Sequence, residues 1–278
     1  HSIFEGERMQ RFRALFPNNR NVIGMVHVGG LPGTPAYGGS VKQIIDDAVK
    51  EALIYKECGL DGVLVENMHD IPYLRPRDLT PETVSIMTRI CVEIRNALPA
   101  STPCGVQVIL AGCNKEALAV AKAADFQFIR AEGFVFSHVA DEGFTDACAG
   151  PLLRYRRQID AENILIFADV KKKHSAHAIT ADVSLSETIK AADFFLADGV
   201  VLTGTATGEP VSLEDLGLPI LIGSGITAEN FQDFSKAAHA LIVGSYFKYH
   251  NDWRCNVSKE RVKNFMSVFE RDKRISEE

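Results

Sequence analysis

Eight short apolar runs recur along the chain: Val22–His27, Asp61–Asn67, Gly105–Leu110, Phe126–Arg130, Ile164–Asp169, Gly199–Thr203, Leu218–Ile222 and Ala240–Val243. They are rich in Val, Ile and Leu and lack period-two alternation, which is what a parallel sheet covered on both faces requires. Helical patterns separate them. A first helix from Arg8 to Phe16 stops at Pro17 and forms part of an N-terminal extension over residues 1–20. Ser40 with Gln43 reads as a capping box opening a helix to about Lys56, and Ser184 with Glu187 as a second one, its helix ending near Ala192. Pro81 sits at the favoured first position of another helix, an alanine-rich helix starts at Asn114, and one carrying Arg154, Arg156 and Arg157 precedes the fifth run. A last helix spans Ser258 to Arg271, with a frayed tail over 273–278.

Eight such βα units with no intervening linker predict an α/β fold, a single-domain (β/α)8 TIM barrel, a fold that takes about 250 residues; this chain has 278. A doubly wound open sheet is the alternative, but the G-x-G-x-x-G fingerprint is missing after the first strand. Two connections exceed an ordinary βα turn. Gly29–Gly39 reads as a mobile flap and Ala131–Gly150 as a long loop.

Composition narrows the function classes. The net charge is −6 with dispersed basic residues, which argues against a nucleic-acid surface. No apolar run approaches the roughly 18 residues of a membrane span. The six cysteines include no C-x-x-C pair and suit reduced thiols in an intracellular compartment, cytoplasmic or organelle matrix. The chain starts His1-Ser2, so a trimmed presequence, and with it a mitochondrial location, stays open.

In such a barrel the chemistry collects at the C-terminal strand ends. Those ends read His27, Glu66 with Asn67, Gln107, Arg130 with Glu132, Asp169, Thr203, Ser224 and Ser245. Gly223-Ser224-Gly225 after the seventh run and Gly244-Ser245 after the eighth offer bare main-chain amides to an anion, each ahead of helical sequence; Thr227 is the expected N-cap of the first. Thr203-Gly204 and the following hydroxyl-rich residues to Gly208 could add donors. After Asp169, an extended backbone would put Lys171 and Lys173 on the carboxylate's face, where such a lysine can serve as base or nucleophile. A plain solvated basic loop is the competing reading. His174 and His177, with Asp169 and Glu66, are compatible with a divalent ion, although no specific ligand motif is present and no cofactor is required. The three arginines at 154, 156 and 157 read as a solvated or interface face, and Trp253 as a packing residue.

Gly24-Met25-Val26-His27, Leu31-Pro32-Gly33-Thr34-Pro35 and Val65-Glu66-Asn67-Met68-His69-Asp70 resemble the BtpA family, which includes the SgcQ proteins. The likeness continues through Phe128-Ile129-Arg130, Leu153-Arg154-Tyr155-Arg156, Ala168-Asp169-Val170, Lys173-His174, Thr203 to Gly208, Gly223 to Thr227 and Ile242 to Ser245, covering about Val22 to Lys248. The resemblance implies a TIM-like barrel related to phosphate-binding barrel enzymes, and it implies no particular reaction. The family is named for a role in accumulation of photosystem I, and its bacterial relatives lie near sugar-metabolism genes. The family pattern points to His27, Glu66, Asn67, Arg130, Asp169, Lys173 and the two Gly-Ser loops, which favours Lys173 over Lys171. Ala111-Gly112-Cys113 and Ala131-Glu132-Gly133 depart from that pattern and leave the non-phosphate end of a ligand open.

Two readings follow. One is an isomerase- or lyase-type enzyme for a small phosphorylated ligand, such as a phosphosugar or phosphoribosyl compound. In it Asp169, Lys173 and Glu66 are catalytic, while His27, Asn67, Arg130, Thr203, Gly204, Gly223, Ser224, Gly225, Gly244 and Ser245 bind. The other is a non-catalytic assembly or stability factor on a barrel scaffold. Either could work as a homo-oligomer.

Overall fold

The computed structural model describes residues 2–108, 112–203, 217–235 and 237–277. Eight parallel strands close into a barrel. They are β1 (Asn21–His27), β2 (Gly62–Glu66), β3 (Cys104–Gln107), β4 (Phe128–Ala131), β7 (Leu165–Asp169), β8 (Gly199–Leu202), β9 (Ile220–Gly223) and β10 (Ala240–Val243). Closure comes from β10 pairing with β1, Asn21 opposite Ala240. The outer layer carries α2 (Val41–Glu57), α3 (Pro81–Ala97), α4 (Asn114–Ala123), α5 (Ala149–Gln158), α6 (Leu185–Phe194), the short α7 (Phe231–Ser235) and α8 (Lys259–Glu277).

Each strand sends alternate side chains to two different cores. Val22, Val63, Val65, Ile129, Ile166, Val200 and Leu241 join the large core under the helices. Ile23, Met25, Leu64, Phe128, Leu165, Phe167, Val201, Leu221 and Ile242 fill the barrel interior. Both faces are therefore buried, which is why the runs show no polar alternation. The N-terminal helix α1 (Ser2–Leu15) stops the barrel's N-terminal end. Its Phe12 lies 5.9 Å from Phe167 and Phe16 lies 5.8 Å from Phe128, ring centroid to centroid. Polar clamps hold the stopper in place: Arg11 meets Asp198 at 2.7 Å and Arg8 pairs with Asp193.

The helix caps follow the local sequence. Ser184 accepts from Glu187 N while Glu187 returns a bond to Ser184 N, and Ser40 accepts from Gln43 N. Several expectations change. Arg156 does not sit on a solvated face: it meets the buried carboxylate of Asp198 at 2.6 Å, beside Arg11. The segment after β4 is not plain loop but holds an antiparallel hairpin, β5 (His138–Ala140) with β6 (Gly143–Thr145). It is stitched to the chain after β7 by Ala176 N donating to Val139 O at 2.7 Å. The Gly29–Gly39 segment is tethered: Leu31 is buried, its N–H donates to Asp70 Oδ1 at 3.3 Å, and the Thr34 hydroxyl donates to Ile71 O. Helix α8 continues past Arg271 to Glu277, where fraying was expected. Ile109, Leu110 and the Gly204–Gly208 loop lie outside the described residues.

Candidate functional site

The inward alternation that fills the barrel with Met25, Leu64, Phe128, Phe167, Val201, Leu221 and Ile242 continues by one step at the C-terminal ends. The next inward positions are His27, Glu66, Arg130, Asp169, Thr203, Gly223 and Gly244, and Gln107 joins them opposite Glu66 in the β2–β3 register. One polar layer thus caps an apolar barrel.

Two ion pairs fix the layer. Arg130 holds Asp169 through Nε at 3.1 and 3.0 Å and Nη2 at 2.9 Å. Lys172 Nζ meets Glu132 Oε2 at 2.5 Å, and Gln107 Nε2 donates to Glu132 Oε1 at 2.9 Å. Gly223 makes room for the first pair: a Cβ there would stand 3.2 Å from Arg130 Nη1 and 2.8 Å from Val201 Cγ1. Gly244 lies against His27, where a Cβ would be 3.6 Å from the ring Cε1.

Glu66 sits between these groups, with His27 Nε2 3.5 Å from its Oε2. Burial pushes the Glu66 carboxyl up to about 8; Arg130 opposes this, and the nearby Glu132 and Asp169 carboxylates reinforce it. Glu66 is therefore protonated at neutral pH. Burial, the Lys248 cation and His69 hold His27 well below its ordinary value, so its ring is neutral. Burial also pushes the Asp169 carboxyl up, against the pull of Arg130. Behind His27, Lys248 Nζ is fully buried on Glu51 at 3.0 and 2.9 Å, and Glu51 Oε2 also accepts from His27 N at 3.3 Å.

The layer brings together His27, Glu66, Arg130, Asp169, Thr203, Gly223 and Gly244, but not every expected residue. Lys173 is exposed, and only its backbone enters, N–H to Thr203 Oγ1 at 2.9 Å. The reason is Lys171, whose φ of +46° ends the extended backbone directly after β7 and turns Lys172 inward instead. Asn67 is buried outside the layer, donating to Asp70 Oδ2 at 3.2 Å and thereby bracing the Leu31 tether. His174 is exposed and His177 Nε2 faces Lys172 O at 2.9 Å; among the described residues no group of three His, Cys, Asp or Glu is placed to hold a metal. Ser224 and Gly225, with φ of +81° and +76°, form an exposed turn, and Ser245 is exposed where it opens a 3-10 turn whose Phe247 is buried. Among the described residues, no long helix starts behind either turn. Thr227 caps only locally, accepting from Glu229 N at 3.2 Å, before the five-residue α7. Gly204 lies outside the described residues. Glu132 and Gln107 were visible as polar strand ends, but Lys172 had no signal distinguishing it from its neighbours.

The profile of the family described as BtpA matches residues 18–271. The chain belongs to the BtpA family. An uncharacterised mitochondrial protein of Caenorhabditis elegans is 50% identical over 255 residues, 88% of this chain and 91% of that one. The photosystem I biogenesis protein BtpA of Synechocystis is 34% identical over 263 residues, 91% of this chain and 89% of that one. Among solved structures, phosphoribosyl anthranilate isomerase, bound to a reduced carboxyphenylamino-deoxyribulose 5-phosphate, matches with TM-score 0.54 at 15% identity, covering 90% of this chain and 98% of that one. The 7,8-dihydropteroate synthase of Vibrio fischeri matches with TM-score 0.53 at 15% identity, covering 94% of each chain. These two likenesses are of fold: a BtpA-family chain is a TIM barrel. Among the described residues, no helix is long and apolar enough to cross a membrane.

Proposed function

We propose that this BtpA-family barrel is an enzyme that binds a small phosphorylated ligand across its C-terminal mouth and moves a proton on it, in an isomerase- or lyase-type step. The observation that carries the reading is Glu66: a carboxyl enclosed in the polar layer, held protonated at neutral pH, between two fixed ion pairs. A stabilising framework does not need a buried, uncharged acid there, whereas general acid–base chemistry calls for a group with its proton affinity tuned near the working pH. Glu66 would pass a proton to or from the ligand. Arg130 and Lys172, already oriented by their carboxylates, would stabilise the oxygen on which negative charge develops. The Ser224-Gly225 turn and the Ser245 turn, on neighbouring strands, would receive the phosphate on main-chain amides. The deoxyribulose 5-phosphate compound named for one structural neighbour supports a phosphorylated ligand by analogy of fold.

The test is turnover on a panel of phosphosugars and phosphoribosyl compounds with the wild type and Glu66→Gln. Loss of about a hundredfold or more in the variant is expected. Equal turnover in both removes Glu66 from the chemistry.

The Synechocystis relative's name favours a second reading, an assembly factor without catalysis. Thermal shifts with phosphate and sugar phosphates separate the two, because a ligand that binds only the folded state raises its melting temperature. No shift with any of them favours the assembly reading. The nematode relative's mitochondrial name supports an organelle-matrix location, which cell fractionation checks.

A further inference from the structure

Each cation of the polar layer is already neutralised by a carboxylate within it. Arg130 closes on Asp169 with three N–H···O contacts, and Lys172 closes on Glu132. Glu66 and His27, the remaining ionisable members, meet each other and add no cation. An incoming carboxylate would find both cations of the layer already neutralised by a carboxylate, and its full charge would have to sit beside Asp169 and Glu132. Desolvating an anion without a partner is costly enough to exclude it from such a place.

Two buried polar atoms of the layer have no hydrogen-bond partner, His27 Nδ1 and Gln107 Oε1, and the second is an acceptor whose orientation its neighbour fixes. Gln107 is 2% exposed, its Nε2 is committed to Glu132 Oε1 at 2.9 Å, and its Oε1 has no hydrogen-bond partner. Because Nε2 is fixed by the Glu132 carboxylate, the amide cannot flip to present a donor instead. A buried acceptor left open costs about 1–3 kcal/mol, so such atoms call for an explanation. Gln107 stands opposite Glu66 in the strand register, at the top of β3, where a ligand in the mouth would meet both.

We infer that the end of the ligand seated on the polar layer is uncharged and hydroxyl-bearing, with a hydroxyl donating to Gln107 Oε1, so that the ligand class is a polyol or sugar phosphate and not a phosphorylated carboxylic acid. This rests on the proposed phosphate-binding mouth and narrows it. Gln107 becomes the residue that selects the non-phosphate end, by accepting one hydrogen bond, and the two ion pairs select by refusing a carboxylate. A site built to hydrogen-bond a hydroxyl discriminates strongly against an analogue lacking it, because the buried acceptor is then stranded.

Calorimetric titration of the full chain with inorganic phosphate, ribose 5-phosphate and 3-phosphoglycerate tests the inference on the wild type, independent of any variant. Ribose 5-phosphate should bind at least about tenfold tighter than either of the others, the equivalent of one good buried hydrogen bond. Gln107→Leu, after a melt confirms that it folds, should lose about that tenfold for ribose 5-phosphate and leave inorganic phosphate unchanged. Phosphoglycerate binding as tightly as ribose 5-phosphate overturns the inference while leaving the phosphate-binding mouth standing. So does a folded Gln107→Leu that keeps the wild-type preference. Failure of all three compounds to bind overturns the inference together with the reading beneath it.

Discussion

Glu66→Gln has a consequence for stability that can be worked out before any substrate is known. The folded protein holds the Glu66 proton up to about pH 8, whereas the ordinary value of 4.5 applies once the chain unfolds. Between those values the folded state carries one proton more than the unfolded state, so stability falls as pH rises. The contribution is complete below pH 4.5, declines by about 1.4 kcal/mol per pH unit, and is lost once pH passes through about 8. From pH 6 to pH 8 the wild type should therefore lose about 2 kcal/mol through this group. Glutamine keeps the shape of the protonated acid and cannot ionise. Urea unfolding of both proteins at pH 6, 7, 8 and 9 reads the difference as midpoint times slope. Groups other than Glu66 are common to both proteins, so their own contributions cancel to first order in the comparison. Arg130, Glu132, Asp169 and Lys172, the charges facing Glu66, are likewise shared. The wild type should lose ground on the variant from pH 6 to 8 and then run parallel to it. Two curves parallel throughout would mean that Glu66 is ionised in the folded state, and the argument for a neutral acid in the mouth would fail.

Three further outcomes are expected. Phe12→Ala removes a fully buried ring from the stopper and should cost about 3–5 kcal/mol in urea unfolding, with little change at the mouth; a loss below 1 kcal/mol would show that α1 does not seal the barrel. Gly223→Ala places a methyl 2.8 Å from Val201 Cγ1 and 3.2 Å from Arg130 Nη1, and should destabilise by about 1–3 kcal/mol while displacing Arg130; unchanged stability and ligand binding would mean that the guanidinium does not need that gap. Lys172→Met should lower turnover by about a hundredfold, and Lys173→Ala should leave it unchanged; the reverse order would restore Lys173 to the site.

The polar layer was readable because barrel strands enforce a strict alternation. Once β1 is known to send Ile23 and Met25 inward, His27 has to follow, and the same step yields Glu66, Arg130, Asp169 and Thr203. The capping boxes at Ser40 and Ser184 were equally local; Ser40's side-chain acceptor formed as read, although reciprocal bonding is seen only at Ser184. What failed was whatever depended on backbone leaving the strand. Alternation carried past Asp169 selects Lys171 and Lys173, but a left-handed Lys171 resets the count and delivers Lys172. Nothing in three consecutive lysines announces that turn. Asn67 failed for a related reason: one residue beyond the inward Glu66 it belongs to the connection, where Asp70 claims its amide. The hairpin after β4 leaves almost no periodic signal, because its strands are three residues each, on either side of Asp141-Glu142.

The aromatic stopper also has a kinetic meaning. With Phe12 and Phe16 closing one end and side chains filling the interior, the barrel offers no passage to the mouth from below. In the proposed enzyme, product would leave the mouth the way its precursor came in, so a departing molecule would block the next arrival. Competitive inhibition by product is the signature such a blind-ended vessel would leave on its steady-state behaviour.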